Sequence, residues 1–150
     1  MSGYTARMEV AMARRVWVQN PHSGGSKISD AVQERTRDRI LVHAKRTYDG
    51  RYSRIDVRFR AQFCYIDAFK EPELSDSWPP PDWPESRDAY LERMRATPFH
   101  LCRLRYFSGL DRWSLAFYAY SSESYEPSFF QSGEWFGTPE EGLDVGAVYL

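Results

Sequence analysis

The spacing of apolar residues changes period at residue 51, and this change does most to limit what the chain can fold into. Before it, Ile28, Val32, Thr36 and Ile40 recur every four residues, and Leu41, Ala44 and Tyr48 continue the stripe. Arg35, Arg37, Asp38, Lys45 and Arg46 face away from it, so the segment reads as an amphipathic helix of about five turns. Ser29 is its expected N-cap and Gly50, in "YDG", its stop. After residue 51 the period is two. "RIDVRFR" sets Ile55, Val57 and Phe59 against Arg54, Asp56, Arg58 and Arg60, and "FCYIDAFK" sets Cys64, Ile66 and Ala68 against Phe63, Tyr65, Asp67 and Phe69. Two strands joined at "AQ" form the expected hairpin.

A second alternating pair follows a break. Residues 71–98 are rich in proline and acid and cannot lie inside a sheet, although "SRDAYLERMRA" within them reads as a short helix capped by Ser86. "FHLCRLRYF" then sets Cys102, Leu104 and Tyr106 against Leu101, Arg103, Arg105 and Phe107. "RWSLAFYAYSS" sets Trp113, Leu115, Phe117 and Ala119 against Arg112, Ser114, Ala116, Tyr118 and Tyr120. "YEPSFF" reads as an edge strand because of Pro127. The chain closes with Thr138 as N-cap, Pro139 as first helical residue and Glu141 completing a capping box, followed by a helix using Leu143, Ala147 and Leu150. Gly142 and Gly146 weaken that helix unless it lies close against the sheet.

The expected fold is α+β: a four- or five-stranded, mainly antiparallel sheet with an N-terminal and a C-terminal helix on one face. Residues 1–28, ending in "QNPHSGGSK", read as a flexible lead-in, and residues 29–150 as one domain carrying the 71–98 insertion. At 150 residues, one such domain buries a core without help from metal or disulfide. The net charge of −1 conceals an uneven distribution. Residues 7–70 carry 14 Lys/Arg against 7 Asp/Glu, whereas residues 71–98 and 99–150 each carry 3 against 7.

If the helices cover the apolar register, the other register meets solvent or a partner. It collects Arg54, Arg58, Arg60, Arg103, Arg105 and Arg112 with Phe63, Tyr65, Phe69, Phe107, Tyr118 and Tyr120. Arg58, Arg60, Tyr65, Phe69, Arg103, Arg105 and Tyr118 are the expected contact residues. Rings interleaved with guanidinium groups suit a protein partner or a second copy of the chain, with a single-stranded nucleic-acid platform as the alternative, where each stacked base is worth about 1–3 kcal/mol. Alternatively the insertion covers this face, or Arg–aromatic and Arg–Asp pairs merely stabilise the sheet. The acidic second half favours assembly, since it offers the basic first half a complementary surface on another copy or another protein.

No motif for a covalent nucleophile, a zinc protease, a dinucleotide or a P-loop is present, so the chain reads as a binding or assembly module rather than an enzyme. His100 beside Arg103 and Arg105 supports a less favoured reading, a small ribonuclease base. Asp56 and Asp67 form a possible carboxylate pair, and "SGGSK" has the residues but not the spacing of a phosphate cradle. Two cysteines and three histidines at unrelated spacings argue against metal, and no cofactor is expected. Cys64 and Cys102 fall on apolar registers, as inert core thiols do. Without a signal-peptide core or an 18-residue apolar run, the expectation is a cytoplasmic protein that does not enter a membrane. The helix–strands–helix order is similar to that of double-stranded-RNA-binding modules, and "FGTPEEGLDVGA" resembles the last strand-to-helix step of plant-type AP2 DNA-binding domains. Neither family's basic contact motif is present, and the last helix opens with Glu140 and Glu141, which repel phosphate.

Overall fold

The computed structural model describes residues 24–109 and 111–150. Helix α1 spans Asp30–Tyr48; strands β1 (Arg54–Arg60) and β2 (Phe63–Phe69) form the first hairpin. The short helix α2 (Arg87–Ala96) lies within the insertion. Then come β3 (Phe99–Tyr106), β4 (Trp113–Ala119), β5 (Ser124–Ser128), the two-residue β6 (Phe136–Gly137) and helix α3 (Pro139–Gly146), which ends in a 3-10 turn over Ala147–Tyr149. The six strands make one antiparallel sheet in the order β1-β2-β3-β4-β5. β6 pairs with Trp113 and Ser114 at the start of β4, while β5 pairs with the rest of that strand. The expected α+β fold is thus the observed one, and β6, too short to show a period, is the addition.

Local chemistry accounts for the element ends. Ser29 and Ser86 accept hydrogen bonds from Val32 N and Ala89 N as N-caps. At α3 the Thr138 hydroxyl accepts from Glu141 N, and the Glu141 carboxylate accepts from Thr138 N, which completes the capping box. Of the α1 stripe, Thr36, Ile40 and Ala44 are buried. Leu41 is exposed, a correction to the sequence reading: it lies one position beyond the four-residue spacing and turns to solvent.

The core lies between the sheet and α1 and α3. It joins Ile40, Ala44 and Leu143 to Ile55, Val57, Cys64, Ile66, Cys102, Leu104, Trp113 and Leu115. The two glycines of α3 make close approach possible. A Cβ on Gly142 would sit 2.6 Å from a Leu104 methyl, and one on Gly146 would sit 2.8 Å from the Leu101 carbonyl oxygen. Polar bonds join the same two helices. Arg39 reaches both oxygens of Glu140 at 2.6 and 2.7 Å and also binds Asp111; His43 Nε2 and Tyr48 OH meet Asp144 at 2.7 and 2.6 Å. Part of the charge asymmetry is therefore satisfied within one chain, which weakens Glu140 as an argument for a second copy.

A β-bulge in β3 overturns one sequence assignment. Ile66 opposes Cys102 and the next residue, Asp67, opposes His100, so Leu101 is the extra residue. Leu101, expected on the outer register, is fully buried in the core, and His100 moves to the outer face beside Asp67.

Residues 1–23 of the expected lead-in lie outside the described residues. Residues 24–28 pack against the end of β3 and the tip of the first hairpin: Ser26 N donates to the Tyr106 carbonyl at 2.7 Å, and Ile28 N to that of Ala61 at 3.0 Å. Among the described residues, no helix is long and apolar enough to cross a membrane.

Candidate functional site

With both helices on one side, the outer face is ordered in cross-strand rows. Register places Arg58, Tyr65, Arg103, Ala116 and Pro127 in one row, and Arg60, Phe63, Arg105 and Ser114 in the next. On the other side of the first row stand Asp56, Asp67, His100, Tyr118 and Tyr125, and beyond them Arg54 faces Phe69. The structure therefore brings Arg58, Tyr65 and Arg103 together, with Arg60 and Arg105 adjacent and Tyr118 beside His100. Phe69 is displaced to one end.

Exposure divides these residues. Arg58 and Arg60 are exposed, and Tyr65, Phe69 and Tyr118 are half-buried. Arg103 and Arg105, expected to meet solvent or a partner, are only 6% and 3% exposed. Neighbouring rings make this burial tolerable. The Arg103 guanidinium lies 4.2 Å from the centre of the Phe63 ring and 5.0 Å from that of Tyr125, and is hydrogen-bonded to Tyr65. Arg105 stacks over Phe107 and donates to the Ser114 hydroxyl at 3.2 Å. Burial pulls the Arg103 guanidinium below its ordinary pKa. Burial, helped by the charge of Arg103, pulls Arg105 down to about 10, so it remains a cation at neutral pH. Arg54 and Arg58 likewise lie over Phe69 and Tyr65 at 4.1 and 5.3 Å.

One polar unit organises the centre. The buried Asp67 carboxylate takes His100 Nδ1 at 2.8 Å on one oxygen and Arg58 Nη2 at 2.8 Å on the other. Burial opposes the Arg58 cation, but the bond to Asp67 and the charges of Asp67 and Asp56 outweigh it and raise its pKa. Asp56 and Asp67 are direct cross-strand partners, as a carboxylate pair requires, but Arg58 forms ion pairs with both, hydrogen-bonding Asp67 and lying 3.6 Å from Asp56. Tyr118 packs on the His100 ring at 4.7 Å, and the Tyr120 hydroxyl accepts from His100 N. Burial, together with the Asp67 charge, raises the Tyr125 pKa. Sequence reasoning missed the Asp67–His100 pair because unbroken alternation puts His100 on the Cys102 side; only the bulge brings the two together.

The insertion leaves this face open except at one end. Its rings pack on one another, Trp78, Trp83 and Tyr90 being 5.1–6.1 Å apart. Its arginines bind locally, Arg87 to the Ser75 and Trp78 carbonyls, Arg93 to Glu85 and Arg95 to Glu71. It meets the sheet margin where Glu92, Arg95 and Ala96 share a cleft with Ser53, Arg54 and Phe69. A second cleft, about 730 Å3, lies between the insertion and Arg51, Lys70, Phe99 and Leu150.

Other sequence candidates are absorbed structurally. Of "SGGSK", Ser23 lies outside the described residues, and the N–H of Ser26, like that of Ile28 just after the motif, is bonded to a carbonyl and is not open to an anion. Cys64 and Cys102 are free, fully buried thiols with pKa values pushed up by burial. Among the described residues, no group of three His, Cys, Asp or Glu side chains is placed to hold a metal ion. No protein-family model, curated protein or solved structure gives a significant match to the chain.

Proposed function

We propose that the arginine and aromatic face is a contact surface for protein, either another chain or a second copy of this one, and that the protein is a non-catalytic binding or assembly module. The observation that carries this reading is the stacking of guanidinium groups on the rings. Phe63 and Tyr125 are faced by Arg103, Tyr65 by Arg58 and Phe69 by Arg54. A nucleic-acid platform needs open ring faces for bases, whereas a flat layer of arginine and tyrosine suits the centre of a protein interface, where both residue types are enriched. The two free thiols suit a reducing compartment such as the cytoplasm.

Sedimentation of the pure protein with a salt titration tests this reading. The expected result is self-association or partner capture that Tyr118→Glu abolishes and that changes little with ionic strength. Steeply salt-sensitive binding of a single-stranded oligonucleotide, lost in Arg58→Glu, would replace it with the nucleic-acid reading. The Asp67–His100 bond favours a second reading, the small ribonuclease, because it fixes one nitrogen of a part-exposed ring whose other nitrogen would serve as the base. RNA cleavage that disappears in His100→Ala selects it.

A further inference from the structure

The cleft of about 730 Å3 beneath the insertion has an apolar body and a cationic end. One of its walls is α2. A helix this short does not hold itself together in water, so packing of an apolar face must support it. Tyr90 and Met94, four residues apart on one side of α2, line the cleft, yet no residue of α2 is buried. Its ion pairs, Arg93 to Glu85 and Arg95 to Glu71, run to other parts of the insertion rather than to the core. Across the space lie Phe99 and Leu150, each part-buried at the margin of the core. Helix and core thus present apolar surface to each other without closing on it.

Arg51 and Lys70 supply the charge. Arg51 donates to the Ala147 carbonyl at 3.5 Å and Lys70 to the Tyr149 carbonyl at 3.2 Å, and among the described residues neither is ion-paired with a carboxylate. Both carbonyls belong to the 3-10 turn after α3, which brings the two cations to the same end of the cleft. Lys70 also lies 5.0 Å from the centre of the Phe99 ring, so the charged end is continuous with the apolar wall. Two carboxylates share the lining. Arg95 takes Glu71, which leaves the exposed Glu73 against two cations. Small-molecule sites have volumes of about 300–1,000 Å3 and combine apolar walls with a few polar groups that fix orientation.

We infer that this cleft binds a small organic carboxylate. Its apolar body completes the packing between α2 and Phe99, and its head group takes charge-assisted hydrogen bonds from Arg51 and Lys70. The site is separate from the arginine face and does not depend on how that face is used. Calorimetric titration of the full chain with naphthoate and with octanoate tests it, together with hydrogen exchange. At least one of the two is expected to bind, and to slow exchange several-fold at the amides of residues 87–96 while leaving β1 unchanged. Arg51→Gln and Lys70→Gln should each weaken binding several-fold, and Met94→Trp, which fills the space, should abolish it without lowering the unfolding temperature. Failure of both carboxylates to bind at millimolar concentration overturns the inference. So does uncharged naphthamide binding as tightly as naphthoate, or binding that Arg51→Gln and Lys70→Gln leave unchanged. Protection at β1 in place of α2, lost in Arg58→Gln, also overturns it, by placing the carboxylate on the arginine face.

Discussion

The two faces of the sheet are built from the same alternating strands but become buried by different means. On the helix side, Leu104, Leu115 and Trp113 lose water to Leu143 and the other apolar groups of α1 and α3, and among the described residues no charged group is buried there. On the outer side Arg103 is as inaccessible as many core residues, and rings and a phenol are among its neighbours. The lesson is that alternation assigns a residue to a face but does not say whether the face is wet. Burying an apolar side chain requires only apolar surface, whereas a buried cation must find directed partners on neighbouring strands.

The largest break in this comparison is expected at Leu101, which alternation assigns to the outer side. Leu101→Ala should cost about 2–5 kcal/mol in denaturant unfolding, as core truncations do. Leu41→Ala, on the exposed side of α1, should stay within about 0.5 kcal/mol, as surface changes usually do. Equal costs would show that the bulge does not turn Leu101 inward. Next is Gly146→Ala, with an expected cost of about 1–3 kcal/mol from overpacking. Its new methyl meets Leu101 backbone, whereas that of Gly142→Ala meets the movable end of Leu104. The milder variant should therefore be Gly142→Ala.

On the outer side, Asp67→Ala removes the acceptor shared by His100 and Arg58 and should cost about 1–3 kcal/mol. A smaller value would mean that water replaces the carboxylate and that the face is wetter than its rows suggest. The smallest thermodynamic effect is expected at the helix seam: Glu140→Gln should cost about 0.2–1 kcal/mol, less at high salt, because the Arg39 pair is part-exposed. The same seam has a pH signature. Burial, then the bond to Asp144, pushes the Tyr48 hydroxyl up to about 12 from an ordinary value of 10.0. Its contribution to stability is therefore complete below pH 10 and lost as pH rises towards 12. Thermal unfolding across that window should fall more steeply for the natural chain than for Tyr48→Phe.

The α3 capping box was legible because its residues are adjacent in the chain and bond to one another. The β1–β2 hairpin was legible for a similar reason, since a two-residue turn fixes its register. Of the candidate site, the membership of Arg58, Tyr65, Arg103 and Tyr118 on one face was legible, but the pairing of His100 with Asp67 was not. That pairing depends on one extra residue in β3, and its mark in the sequence, the adjacent apolar residues Leu101 and Cys102, is equally compatible with unbroken alternation. The burial of Arg105 was equally hidden, because it depends on Phe107 and Ser114 lying beside it, one of them on another strand.

Sequence alone determined the order of the main elements, the N-caps of the helices and the division of each strand into two sets of side chains. These follow from local chemistry: period, turn residues and side-chain oxygens within three residues of the N–H groups they cap. Tertiary structure alone decided that Leu101 is core, that His100 stands over a buried aspartate, and that Glu140 and Asp144 are bound by α1. Such outcomes depend on which residues of distant segments come within hydrogen-bonding or van der Waals distance, and that distance is set by packing two helices on one face of a bulged sheet.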